Sequence, residues 1–485
     1  MKRAADPRRA LWGLALLAAA AAGAQEPAPA PDAYTFKLNG VVLTPQIVSM
    51  DCSPQVRPGD LAMINGILIV LGEPGAYVFD VPLARRERLY RVKDGGAREL
   101  IGVRVAWAMR EGERVLVNPF DELDDAQVAG LRGVYCDYWD EKLERRLKLL
   151  DPAACCVTAT DLTGAGPFRA VPALPENLRF LTLYEKHGVG FRDFAPLKRL
   201  KELRFLALVT FGEPRFDAAV LAEAARLRYL DLTSSALAHP EALAGLAELR
   251  CLNLNGCKDL RDAGFLKSLP ELVGVELERT GLADLSPLAG HPKLVTIRAS
   301  GSPVTKLPEG RLPVLEDLEL LRSPTPDDEV ERFRKENPQC AVLFKLEKMF
   351  AALLADADAV LVRPRVANYL PNAEAAKEAK EVKDPERLRT LRECMALDLD
   401  EQPLPCACST GPFLEFMKVG RHVATVAFRH NESAEWLGGK LGNWPLSKES
   451  IRLLIDWLAA DKLPQPAAQD ALPAFPNPMS NQPRP

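Results

Sequence analysis

The sequence predicts an α/β solenoid flanked by a small N-terminal all-β domain and a C-terminal α+β domain, and three observations carry that prediction. A pattern of the form L-x-x-L-x-L recurs through the middle of the chain at nearly constant spacing. Before it, Asn-Gly pairs sit between short apolar runs; after it, helix-capping signals alternate with a hairpin pattern. The chain has 485 residues, 47% hydrophobic and 26% charged, which is ordinary composition for soluble globular domains, and at roughly 150 residues per domain it allows about three. Collagen, coiled coil, polytopic membrane protein and wholesale disorder are excluded. With 62 Lys+Arg against 66 Asp+Glu and a net charge of -4, no global basic field exists to hold nucleic acid or an acidic membrane.

The first 24 residues read as a secretory signal. Lys2, Arg3, Arg8 and Arg9 form a basic start, Ala10 to Ala22 is an apolar run, and Ala22-Gly23-Ala24 is a small-x-small cleavage site before Gln25. The apolar run is short for a bilayer span, no cysteine follows it to carry a lipid, and no later stretch approaches 18 apolar residues. The mature chain is therefore expected to start at Gln25 and to be exported and soluble, in the periplasm or outside the cell, with no integral membrane segment. Residues 25–32 alternate Pro and Ala, a stiff extended linker.

Residues 33–119 are expected to be β-rich. Asn39-Gly40 lies between YTFKL and VVLTP, and Asn65-Gly66 between DLAMI and ILIVL; both central residues of a two-residue hairpin need positive φ, which Asn-Gly supplies. Further strands are expected at Tyr77 to Val81, Leu89 to Val92, Val103 to Met109 and Arg114 to Val117. The run Arg85-Arg86-Glu87-Arg88 reads as a solvated face.

Repeats are assigned to residues 120–345, clearly so over 178–345. Units begin at Leu178, Leu203, Leu227, Leu249, Leu272, Leu294 and Leu315, and each supplies Leu, Val, Ile or Ala at the later two positions of the pattern. Each unit should contribute one short strand whose alternate residues point inward. Three positions after the last apolar residue of five units stand Ser235, Cys257, Thr280, Ser302 and Ser323, small polar groups suited to bonding the backbone at a turn. Degraded copies precede these at Leu131-Val134-Cys136 and Ala154-Val157-Ala159. Asp124-x-x-Gln127 is a capping box for a helix leading into them, and a charged helix from Asp327 to Asn337 should close the stack.

On these residues the middle of the chain resembles the leucine-rich repeat family, and Gly281 to Leu294 resembles the short repeats of internalin-type bacterial surface proteins. The resemblance implies a leucine-rich repeat array with a concave parallel sheet and binding by that face. Repeat lengths vary, and the asparagine ladder of the internalin pattern is mostly replaced. No sorting tail is recognisable either, so the scaffold alone carries over and not host-cell invasion.

Residues 346–463 read as an α+β domain: a helix through Leu354, a strand at Ala359 to Val362, a helix from Asp384 to Met395, a hairpin about Val419-Gly420, and a last helix capped by Ser447 with Leu446 and Ile451 as a staple. Residues 464–485, rich in proline, are expected to be a disordered tail. Trp107, Trp436, Trp444 and Trp457 are expected in cores rather than on a carbohydrate platform.

Ten cysteines in an exported chain raise the question of bridges. Cys257 and Cys340 are expected as buried thiols, and a Cys251 to Cys257 bridge is geometrically poor. Among Cys394, Cys406 and Cys408, with His422 and His430 nearby, a structural disulfide is the leading expectation, ahead of unpaired thiols, a tetrahedral zinc site and a redox pair. No GxSxG, HExxH, P-loop or dinucleotide fingerprint occurs. Acid pairs such as Asp124-Asp125 and Asp327-Asp328 sit where helix N-termini favour negative charge.

The functional expectation is a secreted, non-enzymatic binding scaffold without cofactor or metal, presenting its concave face to a protein or peptide. The alternative is an enzymatic or metal-dependent C-terminal domain for which the repeats select substrate. The third position of successive units, Phe180, Phe205 and Tyr229, should form an exposed aromatic ladder. Beside it the fifth position adds the polar, mainly acidic row Asp231, Asn253, Glu276, Arg298 and Glu319. A flanking domain of the same chain is the competing cover for the aromatics.

Overall fold

The computed structural model describes residues 34–464, interrupted chiefly at 49–56, 80–87, 185–190, 210–214, 365–378, 399–411, 429–432 and 438–442. The signal, linker and tail readings, and both Asn-Gly pairs, lie outside the described residues. The chain divides into two compact units, Met1–Phe344 and Lys345–Pro485.

In the first unit every L-x-x-L-x-L segment forms a strand, and successive strands pair in parallel, in register. Leu181 lies opposite Leu206, Leu206 opposite Leu230, Leu230 opposite Leu252, and so on through Val275, Ile297 and Leu318. All of these are fully buried. The degraded copies are repeats too: Gly133–Cys136 and Cys156–Thr160 continue the same sheet, with Val134 opposite Val157 and Val157 opposite Leu181. A strand of three to five residues buries one face against its own short 3₁₀ segments, such as Ala195–Arg199 and Gly264–Ser268. No single repeat could close a core; stacking makes one continuous core instead.

Four of the five small residues at the turns bond the backbone as the spacing predicts; the buried Ser235 hydroxyl finds no partner among the described residues. Thr280 Oγ1 donates to Leu277 O at 2.9 Å, Ser302 Oγ to Leu277 O at 2.7 Å, Ser323 Oγ to Ala299 O at 3.1 Å, and the Cys257 thiol to Leu232 O at 3.3 Å. Three of the four reach back to the preceding repeat, so they fix repeat spacing as well as the local turn. At the C-terminal end the helix Asp327–Glu336 buries Val330 and Phe333 against the last leucines. Asn337 Oδ1 accepts from Leu312 N at 2.7 Å, and Ala341–Leu343 adds a final strand.

N-terminal to the repeats, antiparallel strands flank the array and are hydrogen-bonded to it. Arg88–Val92 pairs with Arg98–Arg110, and that long strand pairs in parallel with Gly133–Cys136. The capping box forms as expected: Asp124 Oδ1 accepts from Gln127 N at 2.8 Å, and Gln127 Oε1 from Asp124 N at 3.0 Å. The strands on either side of the two Asn-Gly pairs meet at Leu38↔Val41 and Ile64↔Ile67, the register of a two-residue turn. The second of these hairpins, Leu61–Ile64 with Ile67–Val70, leaves the main sheet and pairs with Gln46–Val48 in a separate three-stranded sheet.

The second unit is a six-stranded antiparallel sheet with helices Leu346–Ala355, Pro385–Glu393 and Lys448–Ala460. The hairpin turns at Val419 and Gly420, whose φ of 49° and 71° are the left-handed pair that a two-residue turn requires. Ser447 Oγ accepts from Ser450 N at 3.1 Å, and Leu446 and Ile451 are both buried beside it. Trp436 stacks on Phe350 with ring centroids 4.8 Å apart, and Trp457 is also buried.

Candidate functional site

A parallel sheet with alternate residues inward leaves the other residues in straight rows across the strands. Phe180, Phe205 and Tyr229 stand in such a row, opposite one another in register, and the Phe205 and Tyr229 rings stack with centroids 4.7 Å apart at 21°. The expected ladder forms. It is not exposed: Phe180 is 6% accessible, Phe205 0% and Tyr229 1%. The cover is the chain's own hairpin, since Leu61 and Leu68, with Met63 and Val70 beside them, share one apolar cluster with Cys156, Phe180, Phe205, Ala207, Tyr229 and Cys251. Three aromatic side chains, each worth roughly 150 to 250 Å² of burial, are too large an apolar patch to stay in water when a tethered segment can close it.

Two glycines permit the closure. A Cβ on Gly133 would stand 2.3 Å from Leu68 O and 2.7 Å from the Ile69 side chain, and one on Gly102 would lie 3.2 Å from Leu89 and 3.3 Å from Ile67. The hairpin thus approaches the start of the sheet at backbone distance, and Val70 N donates to Arg132 O at 3.3 Å.

The fifth-position row also forms in register, and it too differs from the surface expected. Asp231, Asn253, Glu276 and Arg298 are buried; Glu319 is partly exposed. Charges on adjacent strands stand close enough to pair, and they do: Arg298 lies 3.5 Å from Glu276 and 3.3 Å from Glu319. Glu276 Oε2 accepts from Asn255 Nδ2 at 2.7 Å. Asp231 Oδ1 accepts from Thr233 N at 2.9 Å and Thr233 Oγ1 at 2.6 Å. Burial pushes the Asp231 carboxyl up to about 6 against these hydrogen bonds. Burial likewise pushes Glu276 up to about 8, with Arg298 opposing and the neighbouring carboxylates Glu278, Asp231 and Glu319 adding to the rise. The row is an internal polar network rather than an open acidic surface.

In-register strands at this period, with buried leucines and hydroxyl or thiol groups closing each turn, decide the architecture. The array is a leucine-rich-repeat solenoid. Solved structures similar to it include an internalin from Listeria monocytogenes (16% identity, 50% of this chain and 79% of that chain, TM-score 0.32). An internalin C2 from the same organism (20% identity, 33% and 67%, TM-score 0.25) and a leucine-rich-repeat protein from Leptospira interrogans (20% identity, 44% and 64%, TM-score 0.29) are also similar. No family model matches the chain, and neither does any curated protein.

Along one edge of the solenoid sheet a third row stays partly exposed. It is the second position of the pattern: Arg179, Arg204, Arg228 and Arg250, then Val273 and Val295, then Glu316. It directly precedes the aromatic column in each repeat of the sequence.

The cysteine expectations divide. Cys257 is a buried free thiol, as expected; Cys340 is free and only partly buried. Cys251 is disulfide-bonded. Of the three cysteines among which a bridge was expected, Cys394 is a free, partly buried thiol at the end of the helix Pro385–Glu393, donating to Thr390 O at 3.1 Å. Cys406, Cys408 and His430 lie outside the described residues; His422 is exposed and bonded through Nε2 to Thr425 Oγ1 at 2.7 Å. Among the described residues no group of three His, Cys, Asp or Glu is placed to hold a metal ion, and no helix is long and apolar enough to cross a membrane.

Proposed function

We propose that this protein is an exported, non-enzymatic scaffold that binds a protein or peptide partner through its leucine-rich-repeat solenoid. The observation that carries the reading is the unbroken register of the repeat sheet, from Gly133 to Leu343, which sets side chains of successive repeats in straight rows at fixed spacing. A repeated rigid row suits recognition of an extended surface. The aromatic half of the concave face is occupied by the chain's own hairpin, so partner contact belongs to the partly exposed rows, including Glu319 at the C-terminal end and the second-position edge. The signal-like N-terminus, with its small-x-small site before Gln25, supports export.

Affinity capture with the full mature chain, followed by mass spectrometry and direct binding measurements on the recovered partner, tests the reading. A saturable partner that competes with solenoid-directed antibody fragments is the expected result. Full binding by the isolated second unit would remove the solenoid from the function. N-terminal sequencing of the exported form should begin at Gln25.

A further inference from the structure

Among the described residues the arginine row has no counterpart elsewhere on the array. Arg204 N donates to Arg179 O, Arg228 N to Arg204 O and Arg250 N to Arg228 O, each at 2.8 Å, so the four residues occupy one level on consecutive strands, about 4.8 Å apart. All four are partly exposed. Arg228 lies 3.4 Å from Glu248, and the adjacent Arg226 is taken by Glu202 at 2.7 Å. Among the described residues no carboxylate pairs with Arg179 or Arg204. Partial burial, then the like charges of Arg179, Arg228 and Arg226, hold the Arg204 guanidinium below its ordinary range, with Glu248 acting the other way.

Three lysines on the array are each matched by an acid one repeat away: Lys201 with Glu223 at 2.5 Å, Lys293 with Glu271 at 2.6 Å, Lys306 with Asp284 at 4.0 Å. The guanidinium groups of Arg179 and Arg204 thus lie one strand apart with like charges beside them in a chain whose net charge is -4, and an anionic ligand would relieve them.

The same row continues at the same level. Val273 N donates to Arg250 O, Val295 N to Val273 O and Glu316 N to Val295 O, again each at 2.8 Å. Four cations are thus followed by two half-exposed valines and an exposed acid. A sulfated glycan or a nucleic acid is anionic along its whole length and does not match the valines or Glu316. A polypeptide can. An extended peptide places alternate side chains about 6.6 to 7 Å apart, so acids at three alternate positions span the roughly 14 Å of the arginine row, and the guanidinium fork suits carboxylates.

We infer that this edge receives an extended segment of the protein partner running across the strands, with Asp or Glu side chains spaced along the row from Arg179 to Arg250 and apolar side chains against Val273 and Val295. The inference rests on the scaffold reading above. The probe is a fluorescein-labelled synthetic peptide with glutamate at three alternate positions followed by alternate leucines, titrated by anisotropy against the full chain. Its glutamine counterpart and a sulfated oligosaccharide serve as comparators.

The glutamate peptide should bind at least tenfold more tightly than the glutamine peptide, and binding should weaken as salt rises. It should lose at least tenfold on R179Q/R204Q, lose less on R179K/R204K, which keeps the charge without the fork, and stay within a few-fold on the control K335Q, with the melting temperature of each variant recorded. Equal affinity for the two peptides, absence of binding, or preference for the sulfated oligosaccharide would overturn the inference, and none of these arms depends on a variant that must fold. A captured partner held equally by the parent and by R179Q/R204Q leaves the scaffold reading standing and removes the ladder; failure to capture any partner removes the scaffold reading itself.

Discussion

Burial decides what single residues do here. The Tyr229 hydroxyl is buried and finds no hydrogen-bond partner among the described residues. An unmet buried hydroxyl contributes nothing and carries a desolvation cost, so Tyr229→Phe should leave stability unchanged or raise it by up to about 1 kcal/mol in urea unfolding. A loss beyond that would place a partner on the hydroxyl. Gly133 behaves oppositely: Gly133→Ala sets a methyl against Leu68 O at 2.3 Å, and overpacking of this kind costs about 1 to 3 kcal/mol or more. Asp231 and Glu276, raised from 3.8 to about 6 and from 4.5 to about 8, keep protons in the folded chain that the unfolded chain has released. Stability should therefore fall as pH rises from about 4 to about 8, first through the Asp231 window and then through that of Glu276. Denaturant midpoints across that range should fall less steeply for Glu276→Gln than for the parent between pH 6 and 8. An equal slope would mean Glu276 is ionised throughout.

At the scale of elements, the repeats were legible because buried parallel strands demand the same residues in every unit; the leucine columns alone set the register of strands from Leu178 onward. Even the degraded copies at Val134 and Val157 were readable, since a repeat joined to intact neighbours keeps its geometry after losing its leucines. The hairpin Leu61–Val70 was legible as a hairpin and illegible as a lid. Asn65-Gly66 specifies a turn, but nothing local to DLAMINGILIVL says which surface its apolar face will meet, and the glycine that admits it, Gly133, is some 60 residues away in sequence. The aromatic ladder could be read in the same way as a row without a reading of its cover. Because the ladder and the hairpin share one cluster, Phe205→Ala should destabilise the whole first unit by about 3 to 5 kcal/mol, as large-to-small changes in cores do. An open surface aromatic would lose well under 1 kcal/mol. Chemical denaturation monitored by far-UV circular dichroism separates the two.

At the scale of the whole molecule, the solenoid joins an internal surface to an external one. Its N-terminal concave half is closed by the chain's own hairpin and its fifth-position charges are folded into a network, while the second-position edge and Glu319 stay partly exposed. Hydroxyl-radical footprinting of the free, full-length protein, read by mass spectrometry residue by residue, tests this most directly. Val419 at 82% exposure and Val314 at 43% serve as open references, and Leu206 and Leu230 at 0% as closed ones. Phe180, Phe205 and Tyr229 should be oxidised as slowly as the two leucines until denaturant unfolds the chain. Oxidation of the three aromatics at the rate of exposed aromatic side chains, with Leu206 and Leu230 still protected, would show an open concave face and contradict the account.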